Sequence, residues 1–284
     1  MAIEISKYNT GFTPTWCPGC GNFALHLSLK KALSELNISP SDAMISFDIG
    51  CNGNGVENIS TYRVKGLHGR SIALAIGAHL ANRRYTTIAD IGDGGVLHEG
   101  IEHLIHAIRS NYDITILIHN NQNFALTTGQ ATATTQDKKP MYALPDGKPE
   151  RSMQIWELVL ALNPTFYART FSGDTTQMTE IMKEGIKHRG CSVIEIMQYC
   201  PTYNPECDTK WFNERINKVE KPNSDIEKAR ELMAKPKTLN TGIILQQKEI
   251  PTFYDNLHSR EGKKTELVDE VKPFNIKNIF KKYQ

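Results

Sequence analysis

The sequence predicts an α/β protein: a parallel, doubly wound sheet with helices on both faces. Two observations predict it. Short apolar runs alternate with longer segments of helical period, the pattern of repeated strand–helix units. Several of those runs also stop at a turn of Gly, Asp, Asn or Cys, near Cys51, Asp93, Asn120 and Cys200. Right-handed crossovers bring such strand ends to one edge, where open α/β sheets build their sites.

The elements follow in order. Residues 21–36 are helical, with Leu25, Leu29, Ala32, Leu33 and Leu36 at spacings of three and four. A buried strand over 43–49 runs into a Gly turn at Gly50-Cys51. The helix predicted over 70–83 carries Ala73, Ala75, Gly77 and Ala78, small enough to pack closely on a sheet. A strand over 85–91, a helix over 97–110 and a strand over 113–119 come next. Helix 152–162, a strand near 166–171, helix 174–188 and strand 192–199 complete the set. Beyond Asp208 the chain is charged, Pro-interrupted and weakly periodic. The expectation is therefore one domain over 1–208 and a tail over 209–284, with a helix at about 225–234, that wraps a partner or covers the site.

A chain of 284 residues with 39% hydrophobic content can bury a sizeable core in one or two domains. Its 33 basic and 31 acidic residues leave a net charge of +2, which does not suggest nucleic acid as a partner. There is no internal repeat. The N-terminus lacks the apolar stretch of a secretion signal, and no uncharged apolar run is long enough to span a bilayer. A cytoplasmic protein without a membrane partner is expected. In that setting six cysteines, two of them in a C-x-x-C, point to metal or redox chemistry rather than disulfides.

Residues 90–95 read D-I-G-D-G-G and residues 119–124 read H-N-N-Q-N-F. Asp93 offers a carboxylate and Asn121 a side-chain carbonyl, hard oxygen donors for a divalent cation. The glycines let backbone N–H groups approach the phosphates that the cation would hold. A bare G-D-G is weak, because any turn can use it. The paired asparagines one helix and one strand later make the metal–diphosphate reading the stronger one, as in the thiamine diphosphate motif. Cys17-Pro-Gly-Cys20 is a tight knuckle that zinc accepts as readily as an iron–sulfur cluster. Cys51 and Cys200 each end a strand, giving four thiolates for one edge. Cys207 rivals Cys200 as the fourth, and Cys191 reads as a small core residue. His119 reads equally as a structural residue or as one facing the site. His98, His103 and His106 are too unevenly spaced for a metal site.

Taken together these pieces resemble the β subunit of the 2-oxoacid:ferredoxin oxidoreductases. The residues that carry the likeness are C-P-G-C-G at 17–21, D-I-G-C at 48–51, L-H-G-R at 67–70, G-D-G-G at 92–95, N-N-Q-N-F at 120–124, T-G-Q at 128–130 and C-P-T-Y-N at 200–204, spanning about residues 12–210. The resemblance implies the thiamine diphosphate-binding fold. It implies Mg²⁺ on Asp93, Asn121 and the backbone carbonyl of Asn123, and a 4Fe–4S cluster on Cys17, Cys20, Cys51 and Cys200. Thiamine diphosphate contacts would fall on Ile49, Gly50, Cys51, Asn52, His68, Gly94, Gly95, Ala125 and Leu126, with His68 also catalytic. The implied activity is oxidative decarboxylation of a 2-oxo acid to acyl-CoA and CO₂, with coenzyme A as acceptor and electrons leaving through the cluster to ferredoxin. Thiamine enzymes usually draw the carboxylate for the aminopyrimidine ring from a second domain. This chain offers one such unit, so an α subunit is implied and the chain alone is inactive.

The chain departs from the family pattern in two places. Asn52-Gly-Asn54-Gly follows Cys51, where hydroxyl residues and then often a cation are usual. That absence places pyruvate slightly ahead of 2-oxoglutarate, unless Lys65, Arg70 or the α subunit supplies the charge. Phe124, Ala125, Leu126 and Thr128 replace other residues near the asparagines, changes conservative in size. Two rival readings are a non-oxidative thiamine diphosphate decarboxylase or synthase with structural zinc, and an electron-carrier subunit with a degenerate thiamine site.

Overall fold

A computed structural model describes residues 3–236, 238–272 and 275–283. Its centre is an eight-stranded sheet of order β2-β1-β3-β4-β8-β7-β10-β9. Strands β1 (Ala43–Phe47), β2 (Tyr62–Lys65), β3 (Thr86–Gly92), β4 (Thr115–Asn120), β7 (Phe166–Phe171) and β8 (Ser192–Met197) are mutually parallel. Two short strands, β5 (Asn123–Phe124) and β6 (Gln130–Ala131), form a separate hairpin beside the sheet. The parallel, doubly wound reading therefore holds over the body of the chain.

Period-two alternation sorts the strand side chains between two cores. Ile45, Phe47, Ile88, Leu117, Ala168 and Ile194 face α1 (Gly21–Glu35) and α5 (Thr175–Lys187). Ala89, Ile91, Ile116, Ile118, Tyr167 and Val193 face α2 (Ser71–Ala81), α3 (Ile101–Arg109), α4 (Ile155–Ala161) and α7 (Ile226–Met233). Helix α5 begins where Asp174 accepts the Gln177 N–H at 2.9 Å, a side-chain cap.

Three elements differ from the sequence expectation. Gly95–Glu99 forms one wide π-helical turn, so the helix expected over 97–110 starts properly only at Ile101. The break lies at Gly100, where a Cβ would collide with the Gly69 carbonyl. β2 is a short, mostly exposed edge strand whose alternation is too brief to read. Residues 209–246 are not a tail. After α6 (Thr209–Asn213), β9 (Ile216–Lys218) and β10 (Leu239–Gln246) extend the same sheet, β10 antiparallel to β7 and parallel to β9. Gly242 and a register shift between Ile243 and Leu245 interrupt its period, which hides the strand in the sequence. Helix α7 lies where the tail's helix was expected. Among the described residues no helix is long and apolar enough to cross a membrane.

Candidate functional site

The chain leaves β1 for the edge strand β2, then returns to β3 on the other side of β1. Loops diverge at such a switch point and leave a crevice at the strand ends. A cavity of about 300 Å³ lies there. The loop after β1 brings Ile49, Gly50, Cys51 and Asn52 to it, and the loop before α2 brings His68. The turn after β3 brings Asp93, Gly94 and Gly95, and the segment after β4 brings Asn121, Asn123, Ala125 and Leu126. Every residue that the sequence placed at a thiamine diphosphate or magnesium site thus borders one space. A Cβ on Gly94 would run into the Phe124 ring, and one on Gly95 into Asp48 Oδ2. Those two positions are glycine because the walls are already closed against them.

Asp93 is 1% exposed. Thr132 Oγ1 and Thr134 Oγ1 each donate to its Oδ2 at 2.6 Å. Burial pushes its carboxyl above the usual carboxylate range, against the pull of those hydroxyls. A cation beside it would favour the ionised form. The Asn123 N–H donates to Asn121 Oδ1 at 3.0 Å, and Asn123 Nδ2 donates to the Asn121 carbonyl at 2.8 Å. Asn123 Oδ1 is buried without a hydrogen-bond partner. A buried carboxylate, amide carbonyls and an unmatched oxygen form a hard-oxygen donor set, the chemistry that suits Mg²⁺. Thr132 and Thr134 were missed in the sequence. The hydroxyl-rich run Ala131-Thr-Ala-Thr-Thr135 was the available signal. Lys148 holds that loop by donating to the carbonyls of Ala133 and Thr135 at 2.8 and 3.1 Å. Thr128 adopts φ +83°, a left-handed conformation that a β-branched residue rarely takes, so its substitution is not merely a matter of size.

His68 stands between two carboxylates. Its Nε2 is 3.7 Å from Asp48 Oδ2 and its Nδ1 is 3.5 Å from Glu99 Oε2. Neither of those oxygens has a hydrogen-bond partner, whereas Asp48 Oδ1 accepts the Gly69 N–H at 2.6 Å. Burial pushes Asp48 up to about 6, with His68 pulling the other way. A carboxyl raised on folding contributes stability that is complete below its ordinary value of 3.8 and is lost as pH rises through about 6. Asp48→Asn keeps an acceptor for Gly69 and removes that loss. Its stability relative to the unmodified chain is expected to rise between about pH 4 and about pH 7, by up to about 3 kcal/mol. Urea unfolding of the cofactor-free chain across that range checks it; a pH-independent difference would refute the assignment.

A second space of about 160 Å³ adjoins the first and is bordered by Cys17, Cys20, Cys51 and Cys200. Burial pushes the Cys20 thiol up to about 11 and Cys51 up to about 12; the other thiols of this group add to both shifts. Cys191 and Cys207 lie elsewhere. Cys191 is in the core between sheet and helices, and Cys207 packs with Phe171, Met197 and Phe212 and accepts from Gln136 Nε2 at 3.4 Å. Among the described residues no three or more His, Cys, Asp or Glu side chains converge where one metal ion would sit. Cys17, Cys20, Cys51 and Cys200 border one space together, and thiols are the donors that iron–sulfur clusters take. Cys51, Asn121, Ala125, Leu126 and Gln198 border both spaces. His119 also faces the first. His98 accepts the Ala133 N–H at 2.9 Å and His103 lies 2.8 Å from Arg70, so each serves a different contact.

Comparison with known proteins agrees with this geometry. Residues 48–196 match the family described as "Thiamine pyrophosphate enzyme, C-terminal TPP binding domain". Residues 200–261 match the family that describes the C-terminal part of the pyruvate ferredoxin oxidoreductase beta subunit. The β subunit of 2-oxoacid:ferredoxin oxidoreductase 1 of Aeropyrum pernix is 36% identical over 76% of this chain and 68% of its own. The corresponding subunit of a Sulfolobus species is 30% identical over 92% and 97%. The 2-oxoglutarate synthase subunit KorB of Methanocaldococcus jannaschii is 31% identical over 86% and 91%. A solved structure of 2-oxoglutarate:ferredoxin oxidoreductase from Magnetococcus marinus, with 2-oxoglutarate, coenzyme A and succinyl-CoA bound, superposes with a TM-score of 0.87 at 27% identity, covering 95% of this chain and 97% of that one.

Proposed function

The chain belongs to the β subunits of the 2-oxoacid:ferredoxin oxidoreductases, and from that we propose how its two cavities divide the work. The first takes Mg²⁺–thiamine diphosphate and the second a 4Fe–4S cluster on Cys17, Cys20, Cys51 and Cys200. With an α subunit, the protein would turn a 2-oxo acid and coenzyme A into acyl-CoA and CO₂ and deliver two electrons to ferredoxin; a cluster on the four thiols would supply one-electron transfer. The observation that carries this reading is the shared wall: Cys51, Asn121, Ala125, Leu126 and Gln198 border both cavities, so groups held in the two would lie side by side. Thiamine diphosphate supplies the electron sink for loss of CO₂ from a 2-oxo acid.

The chain's own residues do the rest. Asp93, Asn121 and the Asn123 carbonyl would hold the cation, while Thr132 and Thr134 hold Asp93. His68, between Asp48 and Glu99, is placed to hold or move a proton at the cavity wall. Leu126 is 48% exposed at that cavity and Leu67, beside His68, is 78% exposed. These apolar side chains mark the side that the α subunit shields, bringing its carboxylate and excluding water. Near the C-terminus Arg83 anchors Glu266 at 2.8 Å, while Val271, Ile276, Ile279 and Phe280 remain exposed as a further contact for a partner.

The substrate reading changes with the structure. The loop after Cys51 has no cation of its own, but Lys65 Nζ, arriving from β2, donates to Asn54 Oδ1 at 3.3 Å. Positive charge is therefore present beside Asn54, which borders the second cavity, and a second substrate carboxylate reaching that side would meet it. We include 2-oxoglutarate among the substrates, ahead of pyruvate. Lys65→Met is expected to lower kcat/KM for 2-oxoglutarate by about 10- to 100-fold, the worth of one charged hydrogen bond, and to spare pyruvate. Equal losses for both acids would remove Lys65 from recognition. The function itself is tested by assaying the αβ complex anaerobically with each 2-oxo acid, coenzyme A and methyl viologen. A colourless, zinc-containing protein that decarboxylates without reducing the viologen would select the non-oxidative reading instead. Inactivity with every 2-oxo acid would overturn the proposal.

A further inference from the structure

We propose that Gln198 is a positioning residue: its amide, aimed by a buried Asp90–His119 pair, donates toward Cys20 Sγ and raises the redox potential of the cluster held there. The inference rests on the cluster assignment above.

Gln198 follows β8 and is 2% exposed. Its N–H donates to the Asn120 carbonyl at 2.9 Å, prolonging the β4–β8 ladder by one residue and fixing where the side chain starts. It is one of the few side chains that border both cavities. Its Oε1 lies 3.0 Å from His119 Nδ1, and its Nε2 lies 3.9 Å from Cys20 Sγ, a long N–H···S contact. His119 Nδ1 also meets Asn22 Oδ1 at 3.1 Å. A hydrogen on that nitrogen would satisfy both amide oxygens. Gln198 then sets its oxygen to the ring and its NH₂ to the sulfur.

The ring is held in turn. His119 Nε2 lies 2.9 Å from Asp90 Oδ2, and Asp90 Oδ1 accepts from Asn52 Nδ2 at 2.9 Å. Asn52 borders the first cavity and follows Cys51. An unbroken polar chain, Asn52–Asp90–His119–Gln198–Cys20, thus runs beneath both cavities. Buried polar groups are unfavourable unless paired, and here they are paired into a path that ends on a thiol. Space is kept for it. A Cβ on Gly21 would lie 2.8 Å from Gln198 Cγ and 2.6 Å from Ser172 Oγ. Any other residue at Gly21 would displace Ser172 Oγ or the stem of Gln198.

A donor to a ligating thiolate stabilises the more electron-rich, reduced form of a cluster, and so raises its potential. Losing the donor lowers it. A packing role would act through cluster occupancy, melting or solvent access to the cluster, and Gln198→Glu, which keeps the side-chain volume, separates these from loss of the donor.

The test is an EPR-monitored redox titration of the cluster in the αβ complex, with iron and sulfide measured on each sample. Gln198→Leu should retain the cluster but show a reduced-to-oxidised ratio about tenfold lower at a fixed applied potential, ~59 mV for a one-electron couple. Gln198→Glu, which sets a carboxylate against the thiolate, should fall further. Gln136→Leu removes the contact to Cys207 and should leave the potential unmoved. An intact cluster with unchanged potential in Gln198→Leu overturns the proposal. If that variant takes up no cluster, Gln198→Asn withdraws the donor by one methylene, and an unchanged potential there overturns it equally. A parent complex without iron and sulfide would overturn the cluster assignment and this inference with it; a parent cluster whose potential ignores Gln198 removes this inference alone.

Discussion

Asp93→Ala should weaken thiamine diphosphate binding in Mg²⁺ by well over about 100-fold, beyond what losing a group that only orients a metal ligand typically costs. It is the carboxylate of its donor set, and without it the charge of the diphosphate-bound cation is poorly matched. The structure adds a way to separate this loss from misfolding. Burial already disfavours the Asp93 anion, so in the cofactor-free chain the substitution removes a buried carboxyl held above its usual range. Two hydroxyls, on Thr132 and Thr134, lose their acceptor but can still meet each other at 3.1 Å. The cofactor-free variant should therefore melt close to the parent while the cluster content stays full. Calorimetry giving unchanged affinity would refute the cation site, and a large loss of cofactor-free stability would make Asp93 structural.

The second large effect concerns the thiols. Replacing Cys17, Cys20, Cys51 or Cys200 by Ala should strip most iron and acid-labile sulfide, and with them the brown colour. Cys191→Ala and Cys207→Ala should retain both. The distinction rests on place: Cys200 borders the space with the other three, while Cys207 sits against Phe171, Met197 and Phe212. Cys207→Ala should instead cost stability, about 1 kcal/mol for a small buried side chain, by the large-to-small rule. If iron assays found Cys207 essential and Cys200 dispensable, the ligand set would be wrong.

Much of the fold and of the site was legible in the sequence. Near-continuous apolar strands, helices with a packing stripe and turns at strand ends are local patterns, and they specify a parallel α/β sheet because each element must bury its own apolar face. Asp93, Asn121 and the C-x-x-C were legible for a related reason: their chemistry lies in residue type and short spacing. The C-terminal strands were not, because β10 is broken by Gly242 and a register shift and is held by pairing with β7, a partner over sixty residues away in sequence.

What the sequence by itself determined is the fold class, and it named the residues that the fold gathers around two adjoining spaces. Only the tertiary structure decided which groups stand behind them. Thr132 and Thr134 reach Asp93 across a loop, Lys65 reaches Asn54 from the next strand, and Asp90, His119 and Gln198 join three strands into one path. The physical reason is range. Strand and helix periods act over a few residues, whereas hydrogen bonds and charge pairs act over a few ångströms of space, and only the folded sheet brings distant strand ends that close.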